Sequence, residues 1–119
     1  MDLMIVDDSM IIRNKIERAL NDFNLNIVGI AKNGLEAVEL MKTTSPAIAT
    51  MDLTMPQMDG SECIEELIKI DPNIVILVVS ALSDKATAIA ALQKGAHGFL
   101  CKPFTELDLT TAISKLIKV

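Results

Sequence analysis

The sequence predicts an α/β fold in which a parallel sheet is covered by helices on both faces, and three observations carry that prediction. Short apolar runs at residues 3–6, 27–31, 47–51, 74–79 and 97–101 alternate with helix-length segments along 119 residues. The runs are nearly continuous in apolar character, as in strands buried on both faces. Three of them stop at charges: the first at Asp7 and Asp8, the third at Asp52, the fifth at Lys102. Parallel strands deliver their carboxyl ends to one edge of the sheet, so these four charges are expected to meet there.

Each element has its own signal. After the strand at 3–6, Ile12, Ile16, Ala19, Leu20 and Phe23 recur at helical spacing between Ser9 and Phe23, with Arg13, Lys15, Glu17 and Arg18 on the other face. Asn24 and Asn26 bracket a turn before the strand at 27–31. Asn33-Gly34 then opens a helix whose inner stripe is Ala37, Val38 and Met41, and Thr43-Thr44-Ser45-Pro46 ends it. The strand at 47–51 runs into Asp52 and a loop over 53–60, after which Cys63, Ile64, Leu67 and Ile68 mark the apolar face of a third helix.

Asp71-Pro72-Asn73 breaks the chain before 74–79, the most β-branched run, with Ser80 at its end. An alanine-rich, weakly amphipathic helix is predicted over 84–94, with Ser83 as N-cap and Gly95 just past its end. The strand at 97–101 leads into Lys102-Pro103-Phe104. Thr105 and Asp108 form a capping-box pattern with Asp in place of the usual Glu or Gln, and Leu109, Ala112, Ile113, Leu116 and Ile117 supply the stripe of the last helix. Right-handed crossovers turn five strand–helix units into one doubly wound domain over residues 1–119. A flavodoxin-like strand order of 2-1-3-4-5 puts the ends of the first, third and fifth strands around one switch point.

Composition narrows the function. Half of the residues are hydrophobic but only 3% are aromatic, so the core is expected to consist of aliphatic side chains and seven Met, with Phe23, Phe99 and Phe104 as the only rings. Flavins and single-stranded bases have almost nothing to stack on. A formal net charge of −5 repels nucleic acid and anionic membrane surfaces, and a protein or a cation is the better partner. Met1 leads into a strand without a basic, cleavable leader, and the apolar runs are strand-sized, so a soluble, cytoplasmic protein is expected. Cys63 and Cys101 lie on different elements without metal-type spacing and are expected to be reduced and buried. His97 is expected to lie away from the cluster with no chemical role. Met51, Met55 and Met58 are read as gap-filling residues, and Thr54 as a loop residue shaping access to Asp52.

Asp7, Asp8 and Asp52 crowded together repel one another and stay ionised only beside cations. Mg²⁺ suits such oxygen ligands, and three carboxylates against Mg²⁺ and Lys102 come to neutrality. If Asp52 attacks phosphorus, it loses its own charge in the acyl bond while the phosphoryl group brings roughly two negative charges, a net gain of about one. That surplus pulls on donors in reach, of which the hydroxyl of Ser80 at the neighbouring strand end is one.

These residues resemble the receiver domain of bacterial two-component response regulators along essentially the whole chain. The matching stretches are Ile5-Val6-Asp7-Asp8-Ser9, Asn33-Gly34-Leu35-Glu36-Ala37, Met51-Asp52-Leu53-Thr54-Met55-Pro56-Gln57-Met58-Asp59-Gly60, Ser80-Ala81, Gly95-Ala96 and Lys102-Pro103-Phe104. The resemblance implies that Asp52 accepts phosphate from a sensor histidine kinase, and that Asp8, Asp52 and the backbone carbonyl of Thr54 bind Mg²⁺ directly. Asp7 would act through a coordinated water, and Lys102 would contact the phosphoryl group. It further implies a switch formed by Ser80 and Phe99, a responsive surface made by the fourth helix, fifth strand and fifth helix, and a cis peptide at Lys102-Pro103. Within the family, Thr50-Met51-Asp52 with Thr54-Met55-Pro56 looks like the stand-alone chemotaxis regulators, whose targets include the flagellar motor switch and whose signal a phosphatase can end. Phe99 without a hydroxyl, Leu82 two residues past Ser80, and the short segment before the first strand depart from that pattern.

Rival readings differ in sharp ways. A haloacid-dehalogenase-type phosphatase needs a second Asp two residues after the nucleophile, where this chain has Thr54. A flavodoxin needs a hydroxyl-rich phosphate loop where Asp7-Asp8 would repel the phosphate. A receiver excised from a larger regulator, or a receiver-shaped module working without phosphate, remains open at this point; the intact acidic set argues against the second.

Overall fold

The computed structural model describes residues 1–21, 23–55, 58, 60–81 and 85–117. Its elements are β1 (Asp2–Val6), α1 (Met10–Ala19), β2 (Asn26–Ala31), α2 (Gly34–Thr44), β3 (Ile48–Met51), α3 (Gly60–Ile70), β4 (Val75–Ser80), α4 (Lys85–Gln93), β5 (Gly98–Cys101) and α5 (Glu106–Ile117). The strands form one sheet in the order β2-β1-β3-β4-β5, with every pairing parallel, as expected. Leu3 pairs with Ile27 and Met4 with Gly29, so Val28 is an extra residue that bulges the edge strand β2.

Strand alternation sends successive side chains into two separate cores. Met4, Val6, Ala49, Met51, Ile76 and Val78 join Ala37 and Met41 of α2 and Cys63, Ile64 and Leu67 of α3. Leu3, Ile5, Ile48, Leu77 and Val79 join Ile16, Ala19 and Leu20 from α1 and its C-cap, and Leu109 and Ile113 of α5. The central strands are therefore apolar on both faces, which is why they read as continuous runs.

The helix ends follow their local chemistry. Asn33 caps α2 by accepting a hydrogen bond from the Glu36 N–H at 2.9 Å. Thr105 and Asp108 exchange the reciprocal pair of the capping box, at 2.9 and 3.0 Å, so the shorter Asp closes it as Glu would. That bond, from the Thr105 backbone first and its hydroxyl second, holds the Asp108 carboxyl below its usual range. Gly95 stops α4 with φ at +122°, a conformation that strains any side chain.

Two side chains depart from expectation. Arg13, assigned to the solvent face of α1, is only 8% exposed, because it stands at the shoulder of the apolar stripe and its long stem turns back under the β1–α1 loop. Cys101, expected to be buried, is exposed: it ends the edge strand β5, and α4 contributes only Ala91 to the core among the described residues. The proposed N-cap Ser83, the first residue Asp84 of the expected fourth helix, and Leu82 lie outside the described residues. No helix among the described residues is long and apolar enough to cross a membrane.

Candidate functional site

The sheet register places the chemistry. Val6 of β1 is paired with Met51 of β3, so Asp7 and Asp52 emerge side by side from adjacent strands. Each is tied by one further backbone bond beyond its strand: Asp7 N–H donates to the Ala31 carbonyl at 3.0 Å, and Asp52 N–H to the Val6 carbonyl at 2.9 Å. On the other flank, Lys102 N–H donates to the Ser80 carbonyl at 2.9 Å. Ladder bonds that continue past the strand ends fix these residues on the rigid sheet rather than on mobile loops.

Lys102 then reaches over the end of β4. Its Nζ lies 2.9 Å from Asp7 Oδ2 and 3.6 Å from Asp52 Oδ1. The Lys102-Pro103 peptide is cis. Asp8 is exposed but contributes to the same cluster: carboxylate oxygens of Asp7, Asp8 and Asp52 all lie within 4.8 Å of one another. The convergence predicted from the four strand-end charges is therefore present.

Asp7 and Asp52 are each 1% exposed. The Ser9 N–H donates to Asp7 Oδ1 at 2.9 Å, and Oδ2 meets Lys102 as an ion pair without a well-aligned hydrogen bond. Asp52 Oδ1 accepts long contacts from the Thr54 N–H at 3.4 Å and the Thr54 hydroxyl at 3.5 Å. Burial first, and then the Asp7 charge, push the Asp52 carboxyl up to about 6, against the opposing pull of Lys102 and the Thr54 N–H. One lysine does not offset this much buried negative charge. A small hard cation does, and hard oxygen donors at this spacing fit one.

Gly60, the first residue of α3, lies against the backbone of Asp52 and Leu53. A Cβ there would stand 2.1 Å from the Asp52 carbonyl oxygen and 2.6 Å from Leu53 Cα, and the Gly60 N–H donates to the Leu53 carbonyl at 3.1 Å. Met55 and Met58 pack against the α2/α3 core, as expected of gap-fillers. Ser80 ends β4 wholly buried, and Phe99 is half-buried against the α2/α3 side of the sheet.

His97 is exposed and stands apart from the cluster, as expected, but it has a backbone role: Nδ1 accepts from the Ile76 N–H at 3.1 Å. Sequence reasoning also missed two cations of α1. Arg13 Nη1 donates to the Asp7 carbonyl at 2.9 Å, and Lys15 Nζ donates to the Phe104 carbonyl while lying 4.5 Å from the centre of the Phe104 ring. Their shoulder positions beside Ile12 and Ile16 are the only trace of this in the sequence.

A doubly wound sheet whose switch point gathers three aspartates and a lysine defines a class. The family model for the response regulator receiver domain matches residues 3–114, and the chain belongs to that family. Among its relatives, it is 40% identical over 116 residues to the chemotaxis protein CheY of Thermotoga maritima, spanning 98% of this chain and 97% of the relative. It is 38% identical over 115 residues to CheY of Bacillus subtilis, spanning 97% and 96%. It is similar in structure to a chain of the CheX-CheY-BeF3-Mg complex from Borrelia burgdorferi, with a TM-score of 0.94 at 30% identity over 98% of this chain and 88% of that one. The response regulator domain of Thermotoga maritima CheB gives 0.89 at 30% identity, over 100% and 97%. The chain is thus a response regulator receiver closely related to CheY.

Proposed function

We propose that residues 1–119 act as a single-domain response regulator in chemotaxis, which takes a phosphoryl group from a CheA-like histidine kinase onto Asp52 and then binds a downstream protein such as the flagellar motor switch. The observation that carries this reading is the buried Asp52 carboxylate, pushed up to about 6, beside Lys102 and two further aspartates. A carboxylate fixed at the sheet edge beside an ammonium group is placed to act as a nucleophile toward phosphorus. Its oxygen attacks phosphorus, the bond from phosphorus to the donor's imidazole nitrogen breaks, and an acyl phosphate remains.

Asp8, Asp52 and the Thr54 carbonyl are the proposed direct ligands of Mg²⁺. Asp7, whose two oxygens are already engaged by Ser9 and Lys102, stands behind them. When bound, Mg²⁺ neutralises charge on the phosphoryl oxygens and on the carboxylates. Lys102 exchanges its contact with Asp52 for one with the phosphoryl group. The Borrelia burgdorferi complex contains BeF3 and Mg²⁺ together with CheX and CheY; this supports the expectation of a metal ion and of a protein partner. The chain is its own substrate, so it is a signalling protein rather than a turnover enzyme, and its proposed location is the cytoplasm.

Phosphorylation adds about one negative charge at the strand ends. Ser80 is drawn toward it and Phe99 turns into the space behind. Helix α4, held in the core by Ala91 alone among its described residues, moves with little packing to oppose it, and the α4-β5-α5 surface changes. Incubation with Mg²⁺ and acetyl phosphate is expected to add about 80 Da, one phosphoryl group, to the intact wild type and nothing to Asp52→Asn. Equal labelling of both would overturn the assignment. Continuous hydrolysis of a phosphomonoester would favour the dehalogenase-type alternative instead.

A further inference from the structure

The ion pair between Asp7 and Lys102 joins two loops that are far apart in sequence, and helix α1 holds a backbone carbonyl in each. Arg13 donates to the Asp7 carbonyl at 2.9 Å, in the loop after β1. Lys15 donates to the Phe104 carbonyl, in the loop after β5, and its Nζ lies 4.5 Å from the centre of the Phe104 ring. Two residues apart on a helix, these side chains diverge by about 200° and straddle the sheet-facing stripe. Neither is an idle surface charge. Arg13 is 8% exposed, Lys15 is half-buried, and the Phe104 side chain under it is 3% exposed.

We infer that Arg13 and Lys15 are positioning residues, forming a two-point clamp through which α1 sets the distance between Asp7 and Lys102. The inference rests on the phosphoacceptor reading for its consequence in catalysis, and on the geometry alone for its consequence in metal binding. Arg13 fixes the peptide from which Asp7 and Asp8 project, so its loss loosens the carboxylate cluster. Lys15 fixes the segment two residues after Lys102, so its loss lets the ammonium drift from the site while the carboxylates stay in place. The carbonyls of both loops accept from α1, the Asp7 contact buried and the Phe104 contact partly so. A helix that grips both loops also couples their movements: a partner that shifts α1 would shift both ends of the ion pair together.

The two arms give different signatures. In calorimetric titration with Mg²⁺ alone, Arg13→Met is expected to weaken binding by about tenfold, as loss of a group orienting a ligand typically does. Lys15→Met is expected not to weaken that affinity, yet to slow labelling by acetyl phosphate at saturating Mg²⁺ by about tenfold through misplacement of Lys102. Lys15→Arg restores a donor and should recover most of the rate. In the metal-free protein, the side-chain methylene resonances of Lys102 should move toward those of a solvated lysine in Lys15→Met.

Urea unfolding in EDTA separates these effects from stability, and Arg13→Lys replaces Arg13→Met if the latter does not fold. Variants that lose stability but keep wild-type Mg²⁺ affinity, labelling rate and Lys102 resonances would overturn the clamp. Should the wild type take no label at all, the phosphoacceptor reading fails by itself, and the Mg²⁺ affinity and the Lys102 resonances still decide whether the clamp exists.

Discussion

Asp52 carries a cost that should be measurable without any phosphodonor. Burial lifts its folded-state value to about 6 from 3.8 in the unfolded chain. Between those values the folded protein holds a proton that the unfolded chain has released, so the contribution to stability is greatest below pH 3.8 and is lost as pH rises through 6. At pH 7 and without metal, the ionised carboxylate disfavours the fold by something on the order of 2–3 kcal/mol. Asp52→Asn should accordingly raise the urea midpoint in EDTA at pH 7 and much less at pH 4; an equal shift at both would contradict the burial account. Thr50 offers a simpler case, because its hydroxyl is buried on β3 with no protein partner among the described residues. Thr50→Val keeps the branched shape and removes that unpaired group, and chemical denaturation should show about 1 kcal/mol of added stability. The acidic residues and Lys102 were legible because each interrupts an apolar run. Arg13 and Lys15 were not, since a charge at the shoulder of a helix looks the same in sequence whether its stem turns outward or inward.

Gly60 opens α3 pressed against the chain at the end of β3. Gly60→Ala would force a methyl group against the Asp52 carbonyl, and is expected to lower stability by about 2 kcal/mol or more in urea unfolding while also slowing phosphorylation. Helix α4 is packed more loosely, with Ala91 as its one buried residue among those described and with Ile89 and Leu92 nearly half exposed. Amide exchange should therefore be faster over Lys85–Gln93 than over any other helix, and should slow or speed there first on phosphorylation. The elements were legible to different degrees for a physical reason. Helices α2, α3 and α5 bury a continuous stripe, and α2 and α5 also carry N-terminal caps, so their spacing gave them away. The weak pattern of α4 reflects weak packing. The first helix was expected to run on to Phe23, but the chain leaves helical geometry at Leu20, whose N–H caps the end through bonds to the Ile16 and Arg18 carbonyls.

Topology makes a site from residues that are remote along the chain. Strand order β2-β1-β3-β4-β5 puts Asp7 and Asp52 on neighbouring strands and brings Lys102 across β4 to meet them. The order was legible because crossover handedness and two-faced burial leave few alternatives, and because only such an order lets the strand-end charges meet. What sequence could not supply was distance: that Lys102 lies nearer Asp7 than Asp52, and that Asp8 stays exposed while its two partners are buried. Those details give the three carboxylates different surroundings. The most direct test is to phosphorylate the protein with Mg²⁺ and acetyl phosphate, reduce the acyl phosphate with borohydride, and sequence the peptides by mass spectrometry. Homoserine at position 52 alone, absent when EDTA replaces Mg²⁺, is the predicted result. Homoserine at position 7 or 8, or trapping at Asp52 that ignores the metal, would contradict the account.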